Sequence, residues 1–557
     1  MSVDRSEGDA CEVLVVGAGP TGLMAASLLK RRGIDVRIVD SRAEPSRESR
    51  AFALSARSLE LFASLELAEK LFDEGVINSS VELFISGKRV GGLDFDRTHA
   101  EDTPFSFILM IPQARTEAVL IEALGEAGLE VERGLEVTGF EQDADMVRVH
   151  AKGSGGEAKT LRAAFVIGAD GAHSIVRHTL GLSFEGAKYP QSFLLGDVEV
   201  DWALDHDRFR VFMHGERIGL FFPLKGSRLS RVMTTDLSAP PASDDPAVAS
   251  ALDLGELAAS FAQATSLQVR LKNAAWLTRF RTHHRGVDRY REGRVFVAGD
   301  AGHIHSPAGG QGMNTGLQDA ANLAWKLAAM IRDGAEDALL DTYGSERLPV
   351  AKEVLRFTDE LFTTVAGQSG WRARLRDLLA PAILGPATSL DFIQGKAFRK
   401  FAQIDIAYPA GRFVGQGEAD GQTTGPGPGK RAPNAQLSRH QDVFDLLAGY
   451  SFHVLALSRK RLDEAEASAI KRGMTALGAA GVETHVVARL ASGRCEGIHV
   501  PERADVFERY GLETEEAQAV LLIRPDGYVA WRGEGLDLES CRAFLGRFRV
   551  AAMIGAE

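Results

Sequence analysis

The sequence predicts a mixed α/β and α+β chain made of three units. Near the N-terminus a glycine-rich turn joins a strand pattern to a helix pattern, which is typical of a parallel sheet that binds a nucleotide. Between residues 183 and 276 the pattern is mostly strands of alternating polarity, which indicates an inserted antiparallel sheet. Glycine, proline and small polar residues at 415–433 predict a linker, and strands alternate with helices in the smaller unit after it.

Composition argues against several classes of function. The chain has 557 residues, so we expect about two to four domains. Its formal net charge is −12 and it contains no basic block, so we do not expect a nucleic-acid partner. The three cysteines, Cys11, Cys495 and Cys541, form no C-x-x-C pair and favour a reducing, cytoplasmic location. No apolar run reaches the ~18 residues of a membrane-spanning helix, so we expect no membrane association.

The first β-α-β unit carries the pattern G-x-G-x-x-G at Gly17, Gly19 and Gly22. The first glycine allows a tight turn, the second lets a pyrophosphate approach the backbone, and the third lets the helix pack close to the strand. Asp40 ends the next predicted strand, where a carboxylate accepts hydrogen bonds from ribose hydroxyls. Because position 40 holds an acid and not a base, we expect FAD or NAD to be bound here rather than NADP.

Two more polar residues are candidates for ligand contacts. Arg50 lies in the apolar context SRAFALS, and we expect it to neutralise pyrophosphate charge rather than only to aid solubility. Asp170 lies in ADGAHS after a buried strand pattern at 165–167, where the alternative is an ordinary turn. Its occurrence between two other glycine motifs favours a functional role.

The segment GDAGHIHSPAGGQGMN, residues 299–314, lies between a strand pattern and a helix pattern. Asp300 ends the strand, which is where α/β sheets bind ligands. The glycines allow close backbone approach, and a helix starting near Gly312 directs its positive end toward the ligand, as the anionic edge of a reduced flavin requires. His303 and His305 are two residues apart without an acidic or cysteine partner at metal-site spacing, so we expect no metal.

Together these motifs resemble the FAD-dependent aromatic hydroxylases, the single-component flavoprotein monooxygenases related to p-hydroxybenzoate hydroxylase. The resemblance covers roughly residues 10–410 and is carried by GAGPTG with Asp40, ADGAHSIVR at 169–177 and GDAGHIHSPAGGQGMNTGLQDAANLAWKL at 299–327. The segments PGKRAPN and RPDGYVAWRG are similar to the subgroup with a C-terminal thioredoxin-like domain, found among phenol and aromatic polyketide hydroxylases. Without a C-x-x-C pair, we expect that domain to be redox-inert.

The resemblance implies a Rossmann-like FAD-binding domain, an inserted antiparallel substrate-domain sheet and a thioredoxin-like domain. The expected boundaries are 1–182 for the first part of the FAD-binding domain, with substrate-domain strands at about 76–110, 183–276 for the substrate-binding sheet, 277–414 for the second part of the FAD-binding domain with a helical segment, 415–433 for the linker, and 434–557 for the thioredoxin-like domain.

The resemblance also assigns cofactor contacts. Gly17, Gly19, Gly22 and Asp40 would hold the ADP half of FAD. The other contacts it implies are Arg50 and Gln113 on the cofactor, Asp170 for FAD and NAD(P)H, Asp300 on the ribityl chain, the backbone of Gly312, Met313 and Asn314 at the flavin pyrimidine edge, and Pro307 lining the reaction cavity.

The implied activity is hydroxylation of a phenolic, polyketide-type aromatic, as in antibiotic biosynthesis, through a C4a-hydroperoxyflavin formed from O2 after NADPH or NADH reduces FAD. We expect a small-molecule aromatic substrate and a monomer or homodimer. The inserted sheet should form the pocket floor, with Arg210, Phe221, Phe222 and Pro307 as cavity candidates, although ordinary core packing is an equal alternative for each. No catalytic base can be named.

Three alternatives stay open at this stage. The same fold and cofactor can carry out Baeyer–Villiger oxygen insertion or epoxidation, because the product depends on which carbon faces the reactive oxygen. A protein that binds FAD or a reactive intermediate without turnover is a second alternative. A membrane-attached quinone-pathway hydroxylase is a third, which no amphipathic basic or apolar tail supports.

Overall fold

The computed structural model describes residues 10–46, 51–95, 100–226, 228–237, 252–305, 310–366, 391–415, 425–479 and 481–549. In chain order its strands are β1 (Ala10–Val16), β2 (Val36–Asp40), β3 (Ala53–Leu54), β4 (Val76–Asn78), β5 (Ser80–Ile85), β6 (Lys88–Asp94), β7 (Ile108–Met110), β8 (Val131–Arg133), β9 (Leu135–Gln142), β10 (Val147–Gly153), β11 (Ala158–Gly168), β12 (Phe184–Asp201), β13 (Phe209–His214), β14 (Arg217–Pro223), β15 (Leu229–Asp236), β16 (Arg270–Val287), β17 (Arg291–Glu292), β18 (Val295–Val297), β19 (His303–Ile304), β20 (Gln436–Ser438), β21 (Gln441–Asp442), β22 (His453–Leu462), β23 (Glu483–Leu490), β24 (Gln518–Ile523) and β25 (Val529–Glu534).

The helices begin with α1 (Pro20–Arg31), α2 (Ala56–Ser64), α3 (Ala68–Glu74), α4 (Gln113–Glu126), α5 (Ile175–Thr179), α6 (Leu254–Thr265), α7 (Gln311–Asp333) and α8 (Ala338–Ala366), and continue with Asp391–Ala402, Val443–Leu446, Glu464–Gly478, Asp505–Arg509 and Leu538–Leu545. Short 3-10 turns cover Gly299–Ala301 and Gly546–Phe548. None of the described helices is long and apolar enough to cross a membrane.

The first sheet has the strand order β17-β18-β11-β1-β2-β8, and β9 and β10 extend it from β11. The pairs of β1 with β2, β1 with β11, and β11 with β18 are parallel. Their carboxyl ends therefore lie along one edge, which is where the chain places Gly17, Asp40, Asp170 and Asp300. This arrangement confirms the predicted Rossmann-like sheet and explains how four distant motifs come together.

The second sheet has the order β19-β16-β12-β15-β14-β13-β5-β6, and its described pairs are antiparallel except that of β5 with β13. It confirms the predicted inserted sheet. Strand β16 continues to Val287, beyond residue 276, and β19 joins the sheet from within the glycine-rich segment. The glycine-rich segment is therefore attached directly to the substrate-domain sheet.

The C-terminal unit contains a four-stranded sheet in the order β23-β22-β24-β25, with β22 parallel to β23 and the other pairs antiparallel. This β-α-β unit followed by a β-hairpin and a helix is the predicted thioredoxin-like arrangement. The three cysteines are free, and burial raises the pKa of the Cys541 thiol to about 12. Cys541 therefore stays protonated as a thiol, which is the unreactive form.

A buried ionic cluster fastens the C-terminal unit to α7 and α8. The Arg524 guanidinium donates to both carboxylate oxygens of Glu346 at 2.8 and 2.9 Å and also pairs with Asp526. Lys326 donates to Glu346 at 2.9 Å. Burial alone would raise the pKa of Glu346, but Arg524 and Lys326 outweigh it and lower the pKa to about 2. Because these groups have no access to water, each charge depends on its partners across the interface.

We predict that Arg524→Met destabilises the protein by about 3–5 kcal/mol, because it leaves the buried carboxylates of Glu346 and Asp526 without their main cation. Urea denaturation of the variant and the wild type measures the difference. Lys70→Met is the matched control, since Lys70 forms exposed ion pairs with Glu122 and Glu126 and should change stability little. Equal stability of the Arg524 variant and the wild type would contradict the role of the cluster.

Candidate functional site

The three glycines between β1 and α1 serve different needs. Gly17 has φ +102°, and a Cβ there would overlap the Ala169 carbonyl at the end of the neighbouring strand. A Cβ on Gly22 would overlap the Gly17 carbonyl. A Cβ on Gly19 would meet nothing within 4 Å. The first and third glycines are therefore required by the fold itself, whereas the space beside Gly19 at the start of α1 is left for a ligand.

Asp40 presents a charged carboxylate beside this turn. One of its oxygens accepts from the Ala18 amide at 2.8 Å, and the other accepts from the Arg42 amide at 2.8 Å. The Arg42 guanidinium lies 3.2 Å from the same carboxylate. Burial would raise the pKa of Asp40, but Arg42 and the Ala18 amide lower it below its usual value. An ionised acceptor at this position suits ribose hydroxyls.

Several buried polar atoms next to Asp40 have no partner among the described residues. They are Oε2 of Glu117 and both terminal nitrogens of Arg133. Arg133 is the direct neighbour of Asp40 across β2 and β8, and Gln113 donates to the other oxygen of Glu117 at 2.8 Å. Burial raises the pKa of Glu117. Unpaired buried donors and acceptors are costly in a folded protein, so this cluster is built to contact a polar ligand.

Asp170 binds the beginning of α5, whose N-terminal cap is Ser174. Its carboxylate accepts from the Ser174 hydroxyl at 2.5 Å and from the Val176 amide at 3.1 Å, and burial raises its pKa. Arg177, on the same helix, donates to the Ala301 carbonyl at 3.0 Å. The segment that carries Asp170 is thereby tied to the turn that carries Asp300, and both are placed at the same edge of the parallel sheet.

The start of α7 is the positive end of the dipole of a 23-residue helix. Gly310 precedes it with φ +63°, and the amides of Gly312 and Met313 belong to the first turn, which has no acceptors within the helix. Asn314 uses its side chain differently: Oδ1 accepts from the Ser55 amide at 2.9 Å and Nδ2 donates to the Ala53 carbonyl at 3.1 Å. The side chain of Asn314 therefore fixes the helix start to the segment of residues 53–55.

The four cavity candidates do not share one face. Arg210 and Phe221 are direct neighbours across β13 and β14 and face α6, where Arg210 pairs with Glu82 at 2.9 Å. Phe222 faces the opposite way and packs against Phe52, with ring centroids 3.8 Å apart. The odd and even positions of a strand point to opposite faces, and the sequence alone did not say which face α6 covers. Pro307, like Arg50, lies outside the described residues.

The face that carries Phe222, which we call the inner face, has a polar row and an aromatic row. Arg231, next to Phe222 on β15, donates to both oxygens of Asp197 at 2.7 and 2.8 Å. Trp276 donates from Nε1 to the same carboxylate at 2.8 Å. Four residues before Asp197 on β12, Phe193 stacks on Phe280 with ring centroids 5.7 Å apart. The inner face therefore offers apolar rings beside an ion pair whose charges cancel.

Comparison with known proteins identifies the family. The family model described as "FAD binding domain" matches residues 10–358, and the model described as "Aromatic-ring hydroxylase, C-terminal" matches residues 425–548. A rifampicin monooxygenase of Streptomyces venezuelae is 33% identical over 529 residues, which cover 94% of this chain and 96% of the relative. This chain belongs to the FAD-dependent aromatic-ring hydroxylases.

Two further relatives agree with this family. The 12-dehydrotetracycline 5-monooxygenase/anhydrotetracycline 6-monooxygenase of Streptomyces rimosus subsp. rimosus is 31% identical over 542 residues, covering 93% of this chain and 95% of the relative. The solved ternary complex of aklavinone-11 hydroxylase with FAD and aklavinone has a TM-score of 0.74 to this hydroxylase at 26% identity, covering 98% of this chain and 99% of that chain. The chain is an FAD-dependent monooxygenase, as its motifs predicted.

The residues of this hydroxylase fit FAD. The open space beside Gly19, the ionised Asp40 and the unpaired atoms of Glu117 and Arg133 suit the nucleotide half. Asp300, exposed at the end of β18, and the first amides of α7 suit the ribityl and flavin parts. The individual contacts assigned to Gln113, Asp170, Met313 and Asn314 stay predictions.

Sequence reasoning missed Arg133, Glu117 and Arg177. Arg177 carried a signal, because it is the last residue of the motif ADGAHSIVR at 169–177. Arg133 carried none, because its short strand gives no indication that it pairs with β2 beside Asp40. Among the described residues no group of three or more His, Cys, Asp or Glu could hold a metal.

We predict that Gly19→Ala folds with wild-type stability but loses FAD, because the new methyl group enters the space left for the pyrophosphate. Gly22→Ala is the matched control. It should lower the stability of the apoprotein itself, since its methyl group would overlap the Gly17 carbonyl. Thermal unfolding of the apoproteins and FAD titration by fluorescence separate the two effects. Wild-type FAD affinity in Gly19→Ala would disprove the assignment of the space beside Gly19 to the pyrophosphate.

Proposed function

We propose that this hydroxylase uses NADPH or NADH and O2 to hydroxylate a phenolic, polyketide-type aromatic molecule that lies on the inner face. The observation that carries the proposal is the link between cofactor site and inner face through residues 51–55. Asn314 at the start of α7 binds Ala53 and Ser55, and Arg231 on the inner face donates to the Ala51 carbonyl at 3.4 Å. A ring on the inner face is thereby held next to the flavin end of the site.

The chain's own residues have three tasks in this reaction. When bound, FAD supplies the electron transfer and the activation of oxygen. The N-terminus of α7 stabilises negative charge that develops at the cofactor edge near Gly312. The buried rings of Phe193, Phe222 and Phe280 keep water away from the reacting centre and orient an aromatic substrate.

Substrate class follows from the composition of the inner face. Its aromatic row suits a large, flat ring system, and the Arg231–Asp197 pair offers polar atoms without net charge. Relatives named for rifampicin, anhydrotetracycline and aklavinone support a polyketide-type substrate. Hydroxylation, oxygen insertion and epoxidation all add one oxygen atom to the substrate. The mass of the product is therefore the same for the three reactions, and its covalent structure distinguishes them. We propose hydroxylation, because a flat phenol presents its ring carbons to the cofactor.

We also propose a cytoplasmic location. The three free cysteines support a reducing compartment, because none of them is paired. A monomer or homodimer stays our prediction for the assembly.

The experiment that tests the function begins with the visible spectrum of the purified protein, which should show bound flavin. NADPH and NADH oxidation is then followed with a panel of simple phenols and polyketide-type aromatics. We expect one polyketide-type compound to accelerate flavin reduction and to yield a hydroxylated product, identified by mass and NMR. Protein that cannot be loaded with FAD, or that oxidises NAD(P)H without oxygenating any aromatic, contradicts the proposal.

A pair of phenylalanine variants tests the inner face. We predict that Phe280→Leu raises KM for the aromatic substrate by about 2- to 10-fold through the loss of ring stacking, with FAD affinity unchanged. Phe221→Leu, on the α6 face, should cost about 1 kcal/mol of stability and leave KM unchanged. Steady-state kinetics at saturating NAD(P)H measures both. A KM effect in Phe221→Leu alone would reverse the assignment of the faces.

A further inference from the structure

The two histidines of the glycine-rich segment belong to a buried polar chain that the proposed function does not use. The side chains of Asp319, His303 and Arg347 are each 0% exposed. Nε2 of His303 lies 2.6 Å from Oδ2 of Asp319, and Nε of Arg347 donates to Oδ1 at 2.8 Å. Such a cluster costs desolvation free energy that an apolar core would not, so stability alone is a weak reason for it.

Hydrogen bonding links both histidines to Asp319. A carboxylate only accepts, so Nε2 of His303 carries the proton that it donates to Asp319. Nδ1 of His303 lies 2.8 Å from Nε2 of His305, and these two nitrogens share one hydrogen bond. Burial lowers the pKa of His305 well below its usual value. Asp319 thus fixes the orientation of the His303 ring, and His303 in turn contacts His305.

Asp319 is a residue of α7 and binds the backbone of the other element that carries expected flavin contacts, the turn Gly299–Ala301. Its Oδ2 accepts from the Gly299 amide at 3.1 Å, one residue before Asp300. Its partner Arg347 donates to the Thr315 carbonyl in the second turn of α7 at 3.2 Å. His305 is the last residue of this buried polar chain and lies against Gly312. Its Cδ2 is 3.7 Å from the position that a Cβ on Gly312 would take. One carboxylate therefore holds both the turn around Asp300 and the beginning of α7.

Close packing makes this attachment rigid. A Cβ on Gly299 or on Gly316 would collide with the side chain of Thr21, so this side chain of α1 packs directly on the backbone of the turn after β18 and of α7. A small rotation of α7 relative to this turn would move its first amides away from the cofactor. The cost of such a rotation is set by the bonds that cross the junction, and those made by Asp319 are charge-assisted.

We propose that Asp319 is a positioning residue of the flavin site, which acts through His303, Gly299 and Arg347 to hold the Asp300 turn and the N-terminus of α7 in one fixed arrangement around the flavin. The residue touches neither cofactor nor substrate. Its effect is exerted on the direction of the helix N-terminus and therefore on how well the site binds the anionic, reduced cofactor. The inference concerns FAD binding and does not depend on which aromatic is the substrate.

Asp319→Asn tests the proposal, because the amide keeps the size of the side chain but replaces one acceptor oxygen with an NH2 donor. That donor then faces groups that themselves donate to Asp319. We expect FAD affinity to fall by about 10- to 100-fold, the loss typical when a group that orients a ligand-binding residue is removed. We also expect a more negative flavin midpoint potential. If reduced FAD loses ten-fold more affinity than oxidised FAD, the shift is about 30 mV. Fluorescence titration and anaerobic redox titration measure the two quantities without any substrate.

Glu346→Gln is the matched control. Glu346 is an equally buried carboxylate beside Arg347 in the sequence, but it pairs with Lys326 and Arg524 toward the C-terminal unit. The Glu346→Gln variant should have a lower free energy of unfolding, with FAD affinity and flavin midpoint potential close to wild type. His303→Leu is a second variant that keeps the Arg347–Asp319 pair, and we expect it to fold and to show the same two changes at smaller size.

Wild-type FAD affinity and midpoint potential in both Asp319→Asn and His303→Leu would overturn the proposal. Equal losses of FAD affinity in Glu346→Gln would also overturn it, since the effect would then be one of general stability. If Asp319→Asn does not fold, His303→Leu decides the question alone. These results are independent of the substrate panel, so a failure here leaves the proposed hydroxylation untouched, and a flavoprotein that oxygenates no aromatic of the panel leaves this inference untouched.

Discussion

The whole site depends on how closely α1, the end of β18 and α7 approach one another. Thr21 occupies the space that Cβ atoms on Gly299 and Gly316 would need, so the two helices meet directly over the strand end. This contact places the N-terminus of α1, where we expect the nucleotide half of FAD, and that of α7, where we expect the flavin half, at one edge of one sheet. Two helix termini with unpaired amides then act on a single anionic cofactor.

Buried charge fixes the larger arrangement. Arg431 of the C-terminal unit donates to Glu60 at 2.9 Å and to Asp102 at 2.6 Å, both of which belong to the N-terminal half of the chain. Together with Arg524 and Glu346, these pairs attach the thioredoxin-like domain to the helices behind the cofactor site. Because each charge is satisfied only when both units are in place, the pairs specify one relative orientation. Buried charge pairs thus fasten this domain to the N-terminal half of the chain and to α7 and α8.

Segment 51–55 connects cofactor and substrate sides with backbone atoms. Asn314 and Arg231 bind it from opposite sides, one from the start of α7 and the other from the inner face. Backbone contacts of this kind leave the identity of the intervening residues free while fixing their position. Segment 51–55 and the pairing of β16 with β19 thus both connect the second sheet with the region where α7 begins.

The motifs determined a great deal without any coordinates. The glycine pattern with Asp40, the Asp-Gly turn and the glycine-rich segment each follow a strand pattern, and parallel strands collect their carboxyl ends at one edge. Local chemistry therefore predicted the nucleotide-binding sheet and a dinucleotide, FAD or NAD, and the resemblance carried by the same motifs added the family and the choice of FAD. Tertiary structure decided which of two equivalent faces is covered and which groups become partners, because local patterns do not distinguish these. Alternation along β14 placed Phe221 and Phe222 on opposite faces, but only the packing of α6 showed which face is covered. His303 likewise carried no information by itself, because its partner Asp319 reaches it only when α7 folds back over the strand end. Side-chain periodicity and turn chemistry are local properties that a sequence records, whereas the partner of a buried polar group is set by the packing of distant elements.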